Sequence, residues 1–173
     1  ITTDGKLFGC GRNNNGQQGS GDTTNVTTFT QRLSDQTVEK VICSYNTTWA
    51  ITDDGKLFGC GNNDYGEQGS GDFDNVLTFT QRLTDENIKE VVSGNTTWAI
   101  TTDGKLFGTG ANAYSQEIDT EDEPISEFTL HDFGGSESST SVSPTISAML
   151  SVIPLIVIVG LIIGTVGYFL RKQ

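Results

Sequence analysis

The amino-acid sequence predicts an all-β fold of β-propeller blades followed by a single transmembrane α-helix. Two observations carry this prediction. The segment that begins Ile1-Thr-Thr-Asp-Gly-Lys-Leu-Phe-Gly recurs almost unchanged from Ile51 and from Ile100, so the period is 50 and then 49 residues. An apolar run of 25 residues without any charge lies at 146–170. Tandem copies of this length indicate a repeat architecture, in which each copy buries its apolar face against its neighbours.

Each copy is predicted to contain four short strands. The Asp-Gly pairs that begin at Asp4, Asp54 and Asp103 predict hairpin turns, because glycine readily adopts a positive φ in such a turn. The predicted strands of the second and third copies are Thr47–Thr52, Lys56–Gly61, Phe79–Leu83, Ile88–Ser93, Thr96–Thr101 and Lys105–Gly110. Four strands per period is the composition of a propeller blade.

The first two copies agree well beyond the hairpin. Gly16-Gln-Gln-Gly-Ser-Gly-Asp22 aligns with Gly66-Glu-Gln-Gly-Ser-Gly-Asp72, and Phe29–Leu33 aligns with Phe79–Leu83. The stretch from Ala50 to Asp72, with its regularly spaced glycines and its closing Gly-Asp, resembles the repeat of the regulator of chromosome condensation family. A kelch-type propeller has a similar period, but the paired glycines of its blades are absent from these copies.

The resemblance covers residues 1–118, about two and a half repeats, and implies part of a seven-bladed propeller. The remaining blades are expected upstream of Ile1, because the sequence opens inside a repeat. Two departures from the family pattern stand out. Cys10 and Cys60 occupy the usual place of a tryptophan, whereas Trp49 and Trp98 stand before the Ala-Ile pair.

The third copy changes after Asn112. Its residues at the places of the turn glycines Gly66, Gly69 and Gly71 are Ser115, Ile118 and Thr120. We expect a terminal, capping repeat there. An acidic, Ser/Thr-rich stalk is predicted over 119–145. Within it, Ile125–His131 is a candidate strand that docks on the last blade.

The apolar segment 146–170 has the length of a transmembrane helix. No charged residue occurs between Glu137 and Arg171. A helix of 25 residues is about 37 Å long, which is enough to cross a hydrocarbon layer of about 30 Å with some tilt. The segment therefore contacts membrane lipid, and 171–173 form a short tail.

The orientation of this helix follows from the charges at its two ends. Arg171 and Lys172 follow the helix, and the preceding flank is acidic. The positive-inside rule places the tail in the cytoplasm and the blades outside the cell. A tail-anchored protein with cytosolic blades is the alternative. The terminal Arg-Lys argues against a cleaved lipid-anchor signal.

Two sequence patterns fit a cell-surface glycoprotein that self-associates. Asn25, Asn46 and Asn95 begin N-glycosylation motifs, although Ser and Thr are frequent enough to produce such motifs by chance. Gly160 and Gly164 form a Gly-x-x-x-Gly pattern that Gly167 continues by one turn. Such a stripe lets two membrane helices approach closely, and it predicts a homodimer.

Composition narrows the partner class. Before residue 146 the chain has 8 basic and 22 acidic residues, a net charge of −14. This charge repels phosphates, so we expect no nucleic-acid partner. A cationic partner or a divalent ion suits the charge better, and a solvated acidic surface that keeps the protein soluble is the favoured explanation. Asp22 and Asp72 are candidates for either Ca²⁺ ligation or turn capping, and capping is favoured.

Cysteine and histidine usage gives no enzyme signature. His131 is the sole histidine, and the three cysteines lack a histidine partner within the repeats. We expect buried free thiols, with Cys10 and Cys43 as the one pair to test for a disulfide. The glycine-rich run at 16–21 has no lysine in phosphate-loop position. We predict a protein that is not an enzyme and that binds no cofactor or metal.

The favoured function is recognition of a protein or other ligand by loops on a rigid frame. The loop positions that differ between copies are candidates for contact with the partner. These are Arg12, Asn13, Asn15, Asn62, Asp64, Tyr65, Phe73 and Asp74. The alternative is guanine-nucleotide exchange or scaffolding by a cytosolic propeller. No loop that could displace a nucleotide and its Mg²⁺ is evident in these residues.

Overall fold

The structure is a computed structural model that describes residues 1–113 and 123–131. Ten antiparallel strands account for the regular structure of these residues. They are β1 (Leu7–Gly11), β2 (Val26–Arg32), β3 (Val38–Ser44), β4 (Thr47–Thr52), β5 (Leu57–Gly61), β6 (Val76–Arg82), β7 (Ile88–Ser93), β8 (Thr96–Thr101), β9 (Leu106–Gly110) and β10 (Ile125–His131). Their spacing repeats the sequence period.

The strands form three sheets in chain order. Blade 1 contains β1 and β2, blade 2 contains β3 to β6, and blade 3 contains β7 to β10. Each complete blade is a meander whose consecutive strands are neighbours. The all-β, blade-forming fold predicted from the repeat is therefore confirmed. The fourth strand of blade 2, β6, begins at Val76 rather than at Phe79 and ends at Arg82 rather than at Leu83, since Leu83 turns the chain with a φ of 47°.

The Asp-Gly hairpins form as the sequence predicts. Gly55 has a φ of 82°, and its amide donates to the Thr52 carbonyl at 3.0 Å. The Thr52 hydroxyl donates to Asp54 Oδ1 at 2.5 Å and accepts from the Lys56 amide at 3.0 Å. The same Thr-x-Asp-Gly-Lys arrangement recurs in the other two copies, so the turn sequence fixes the hairpin locally.

The last blade is complete, and β10 closes it. β10 pairs with β9 antiparallel, with Leu130 opposite Phe107 and His131 opposite Leu106. The expected docking of this strand is confirmed. Residues 125–131 therefore belong to a blade, not to the stalk predicted over 119–145, because their backbone hydrogen bonds are made within the sheet.

The apolar core lies between adjacent blades. Trp49, Ile51, Leu57, Ile88 and Val91 form one buried cluster that spans blades 2 and 3, together with Ala99. A smaller cluster of Leu7, Val38 and Ala50 joins blades 1 and 2. Burial of these side chains is what a single blade cannot achieve alone.

Several predicted features lie outside the described residues. They are the rest of the stalk, the apolar helix 146–170, its glycines Gly160, Gly164 and Gly167, and the tail 171–173. Among residues 1–113 and 123–131, no helix has the length and apolar character needed to span a membrane.

Candidate protein-binding surface

A buried asparagine in each of the first two copies holds together the two ends of the long loop within the blade. Asn63 is fully buried, and its Nδ2 donates to Ser70 Oγ at 2.9 Å, to the Asp72 carbonyl at 2.9 Å and to the Asp74 carbonyl at 3.1 Å. Its Oδ1 accepts from the Gln68 amide at 2.8 Å. One side chain thereby holds both ends of the loop that joins β5 to β6.

Asn13 makes the same contacts in blade 1. Its Nδ2 donates to Ser20 Oγ at 2.8 Å and to the carbonyls of Asp22 and Thr24 at 2.8 and 3.0 Å. Its backbone amide donates to Asn25 Oδ1 at 2.9 Å. The loop frames of blades 1 and 2 are therefore equivalent, and side chains that differ on them are displayed on one scaffold.

The exposed positions on this frame differ sharply between the blades. Blade 2 carries Asp64, Tyr65, Phe73 and Asp74, which we call the blade-2 loop patch. Tyr65 is 46% exposed and Phe73 is 48% exposed. The equivalent residues of blade 1 are Asn14, Asn15, Thr23 and Thr24. Blade 2 therefore carries aromatic and acidic side chains on a loop whose asparagine clamp is the same as that of blade 1.

Three of the predicted contact residues are structural instead. Asn13 and Asn62 are buried, and the Asn62 side chain donates to Glu67 Oε1 at 2.9 Å. Asn15 is half-buried and donates from Nδ2 to Asn62 Oδ1 at 2.9 Å, which joins blades 1 and 2. Asn13 and Asn62 are therefore inaccessible to a partner, because the closely spaced turns bury polar side chains that satisfy one another, and contact of the other predicted positions with a partner stays a prediction. Arg12 is exposed, as predicted.

The acidic residues after the glycine-rich turns cap those turns. Asp72 Oδ1 accepts from Ser70 Oγ at 2.8 Å and from the Asp74 amide at 3.2 Å. Asp22 makes the same contacts in blade 1. Within residues 1–113 and 123–131, no group of His, Cys, Asp and Glu side chains is arranged to hold a metal ion. The capping interpretation of Asp22 and Asp72 is therefore favoured by geometry.

The carboxylates of the hairpin turns stay ionised in acid. Lys6 and Thr2 donate to Asp4, and these bonds lower the pKa of its carboxyl from 3.8 to about 2. Bonds from Lys56 and Thr52 lower the pKa of Asp54, and bonds from Thr101 and Lys105 lower the pKa of Asp103. These three hairpin carboxylates therefore stay negatively charged at pH values well below neutral.

The cysteines differ in environment. Cys60 is buried, its thiol donates to the Gln17 carbonyl at 3.5 Å, and burial raises its pKa strongly. Cys43 is exposed and Cys10 is half-buried, so the expectation of buried thiols holds for Cys60 alone. All three are free, and Cys10 and Cys43 line one cavity between blades 1 and 2.

His131 lies on β10 and not in a flexible stalk. Its ring contacts Trp98 with a centroid distance of 5.1 Å, and burial lowers its pKa from 6.5. It occupies the place of Arg82, whose Nε donates to the Gln68 carbonyl at 2.7 Å in blade 2. His131 therefore belongs to the frame of the last blade.

The glycosylation motifs occupy different environments. Asn25 and Asn95 are exposed. Asn46 is half-buried, its carbonyl accepts from the Asn62 amide at 2.8 Å, and its Oδ1 accepts from Gln17 Nε2 at 3.4 Å. Attachment of a glycan at these three residues stays a prediction.

Tandem four-stranded antiparallel blades, joined by glycine-rich turns and buried asparagine clamps, define a β-propeller repeat protein. Family models confirm this class. Residues 4–51 and residues 38–67 each match a model of the regulator of chromosome condensation (RCC1) repeat. Residues 4–67 therefore match the RCC1 repeat in sequence. No curated protein sequence matches the chain significantly.

Solved structures share the fold. Human WBSCR16 is 25% identical, with a TM-score of 0.67 over 78% of this chain and 36% of its own. Yeast RCC1 (Prp20), in a crystal structure bound to Kap60, is 21% identical with a TM-score of 0.67 over 76% of this chain and 34% of its own. Prp20p from Saccharomyces cerevisiae, in a study of its binding to Gsp1p and histones, gives 20% identity, a TM-score of 0.67, and coverages of 76% and 35%. The chain spans about a third of the length of these proteins.

Proposed function

We propose that this chain is a membrane-anchored recognition protein without enzymatic activity, whose blades bind a protein partner through the blade-2 loop patch. One observation carries the proposal. Two copies share the same buried asparagine clamp, yet four neighbouring loop positions change from small polar residues to Asp64, Tyr65, Phe73 and Asp74, all of them exposed. Exposed aromatic and acidic side chains on such loops are typical of a binding surface.

The chemistry of the patch suits a protein surface. Exposed tyrosine and phenylalanine supply large contact area at little entropic cost, and such residues dominate interface energies. Asp64 and Asp74 flank them and carry negative charge, which favours a basic partner and speeds its association. The structures named above support protein binding by this fold, since yeast RCC1 (Prp20) was solved bound to Kap60.

Site-specific photo-crosslinking tests the patch. A photoreactive phenylalanine analogue at position 65 or 73 of the full chain, expressed in its own cells, is expected to form a discrete protein adduct. The same analogue at Thr23, the blade-1 equivalent of Phe73, is the matched control and should form none. Equal adducts from positions 23 and 73, or none from 65 and 73, would refute the assignment.

We further propose that 146–170 cross the membrane, with the blades outside the cell. The support is the uncharged 25-residue run and the Arg171-Lys172 pair after it. In microsomes, the blades should resist protease until detergent is added. A glycan-dependent mass shift should disappear when Asn25, Asn46 and Asn95 are changed to glutamine.

Digestion without detergent would overturn the extracellular placement. It would support the tail-anchored alternative, in which cytosolic blades act in nucleotide exchange or scaffolding. The likeness to Prp20p, studied for its binding to Gsp1p and histones, favours that alternative as the second candidate. The crosslinking result does not depend on topology, so the two experiments test separate parts of the proposal.

A further inference from the structure

Equivalent grooves lie at the two junctions between neighbouring blades, beside the outer strand of the second blade in each pair. The 2–3 groove, between blades 2 and 3, has a volume of about 560 Å³ and apolar walls of Leu83, Phe107 and Phe128. The 1–2 groove, between blades 1 and 2, has a volume of about 350 Å³. Its walls are the repeat-equivalent residues Leu33, Phe58 and Phe79. The groove is therefore a recurrent feature of the repeat.

The same contact builds both grooves. A Cβ added to Gly69 would collide with the ring of Phe128, and one added to Gly19 would collide with the ring of Phe79. The absence of a side chain at each glycine thus lets an aromatic ring of the next blade lie against the turn. Because this apolar frame is common to both grooves, any difference in what they bind comes from the side chains around it.

The two grooves differ in charge. Glu86 and Glu127 line the 2–3 groove at the places where Gln36 and Thr78 line the 1–2 groove. An aspartate, at position 85 or 35, lines each groove as well. Three carboxylates therefore line the 2–3 groove, whereas one lines the 1–2 groove.

Lys105 neutralises one of the three charges. Its Nζ lies 2.8 Å from Glu86 Oε1 and 3.3 Å from Asp103 Oδ2. No cation within residues 1–113 and 123–131 forms an ion pair with Asp85 or Glu127, and both side chains are exposed. Two negative charges beside aromatic walls are therefore available to a cation from another molecule.

We propose that the 2–3 groove is a docking site for an arginine side chain of a basic peptide segment. The guanidinium pairs with the carboxylates of Asp85 and Glu127, while the apolar stem and the planar face contact Phe107 and Phe128. Arginine suits this groove better than lysine, because its flat guanidinium both stacks on aromatic rings and presents several donors to carboxylates. The groove shares no residue with the blade-2 loop patch, so it adds a second contact point for a basic partner.

A tripeptide tests the proposal. The probe is acetyl-Gly-Arg-Gly-amide, titrated against the isotope-labelled full chain in uncharged detergent micelles and followed by NMR. Saturable shifts are expected at the backbone amides of Leu83, Glu86 and Phe128 in the 2–3 groove, with none at the equivalent amides of the 1–2 groove. The same peptide with citrulline in place of arginine keeps the shape of the side chain and removes its charge. It should bind about tenfold more weakly, because both ion pairs are lost.

Exchange of side chains between the grooves shows whether charge decides the site. Glu86→Gln with Glu127→Thr gives the 2–3 groove the side chains of the 1–2 groove, and its shifts should disappear. Gln36→Glu with Thr78→Glu makes the reciprocal change, and saturable shifts should then appear at the 1–2 groove. None of these four positions is fully buried, so the spectra of both variants should keep the dispersion of a folded chain.

Glu39→Gln with Glu90→Gln is the control for net charge, because it removes two exposed carboxylates outside the groove. It should bind the peptide as the parent chain does. Absence of saturable shifts, equal shifts in the two grooves of the parent chain, or unchanged binding after Glu86→Gln with Glu127→Thr would overturn the proposal. Loss of binding in the control, or a reciprocal variant without shifts at the 1–2 groove, would overturn it too. Crosslinking from position 65 or 73 is unaffected by any of these results.

Discussion

At the residue scale, the buried side chains of Asn13 and Asn63 hold the loop conformation through their hydrogen bonds. Asn63 is surrounded by two carbonyl oxygens and by the Asp72 carboxylate, whose Oδ1 lies 3.3 Å from its Nδ2. Only an amide can donate to these acceptors and also accept from the Gln68 amide. Position 63 therefore requires a side chain that both donates and accepts hydrogen bonds, and a residue of the same size without an amide group does not suffice.

Asn63→Asp is expected to destabilise the fold by about 2–4 kcal/mol, because the new carboxylate faces acceptors that leave it unpaired. Chemical denaturation of the full chain in detergent measures the loss. Asn14→Asp is the control, since Asn14 is exposed and blade 2 already carries Asp64 at that place. An Asn63→Asp chain as stable as the control would show that the clamp contributes little.

The three cysteines should react with an alkylating reagent in the order of their exposure. Cys43 is exposed and should react first, followed by Cys10. Cys60 should stay unmodified until the chain unfolds, because burial raises the pKa of its thiol and shields it from the reagent. Peptide mass mapping over time gives the order. Early labelling of Cys60 would contradict the closed interface between blades 1 and 2.

His131 gives the last blade a pH dependence. Burial lowers its folded-state pKa below 6.5, so the unfolded chain binds more protons in the window below that pH. The stabilising contribution is therefore present above pH 6.5 and is lost as the pH falls through the folded pKa. Trp98 fluorescence should fall with a midpoint below pH 6.5, since protonated histidine quenches the adjacent indole. His131→Phe should abolish this titration, and an unchanged curve would assign it to another group.

At the element scale, β10 is a strand whose place in the blade can be predicted from the spacing of the repeat. Phe128-Thr129 follows Phe79-Thr80 by 49 residues, and Ile125 follows Gly110 by the same interval that separates Val76 from Gly61. These signals predict an outer strand for blade 3. The third copy lacks the turn glycines, which is typical of a terminal repeat, yet the candidate strand Ile125–His131 keeps the spacing of an outer strand.

The hairpins could be predicted because Asp-Gly turns are encoded by adjacent residues. The partners of the interblade side chains could not be predicted in the same way. The contact of Trp49 with Ser93 and Phe128 joins residues on strands of different sheets. The exposure of a loop residue depends on such contacts too. The sequence therefore predicts exposure for Asn13 and Asn62, which are buried, as well as for Tyr65 and Phe73, which are exposed. Sequence variation alone does not separate a buried polar clamp from a binding residue.

Phe128→Ala should lower the free energy of unfolding by about 2–4 kcal/mol, because it removes the aromatic partner of Trp49 from a partly buried interface. The emission of Trp49 should shift to longer wavelength as water enters. Leu130→Ala is the control on the same strand, since Leu130 is 51% exposed. It should change stability by less than about 0.5 kcal/mol. Equal effects of the two changes would show that β10 does not seal the blade.

At the scale of the whole molecule, successive blades are joined by their glycine-rich turns. The Gly21 amide donates to the Leu77 carbonyl of blade 2 at 2.9 Å, and the Gly71 amide donates to the Ser126 carbonyl of blade 3 at 2.8 Å. Each turn thus pairs, through an isolated antiparallel bridge, with the outer strand of the following blade. The glycine-rich turns could be predicted from the sequence. Their hydrogen bonds to the next blade could not, because those bonds form only when the blades pack together.

The glycine stripe in the apolar segment predicts that the whole chain pairs in a membrane. Gly160 and Gly164 fall on one face of a helix, and glycine there lets two helices approach closely enough for backbone contacts. Replacing both with leucine should reduce self-association several-fold in a membrane reporter assay of 146–170. Val159→Leu with Ile163→Leu has the same spacing on a different face, so it should leave association unchanged and controls for substitution by leucine elsewhere on the helix. Pairing would place two sets of blades side by side and raise their avidity for a multivalent partner without any new contact. Equal association of the glycine variant and the parent segment would remove the basis for that avidity.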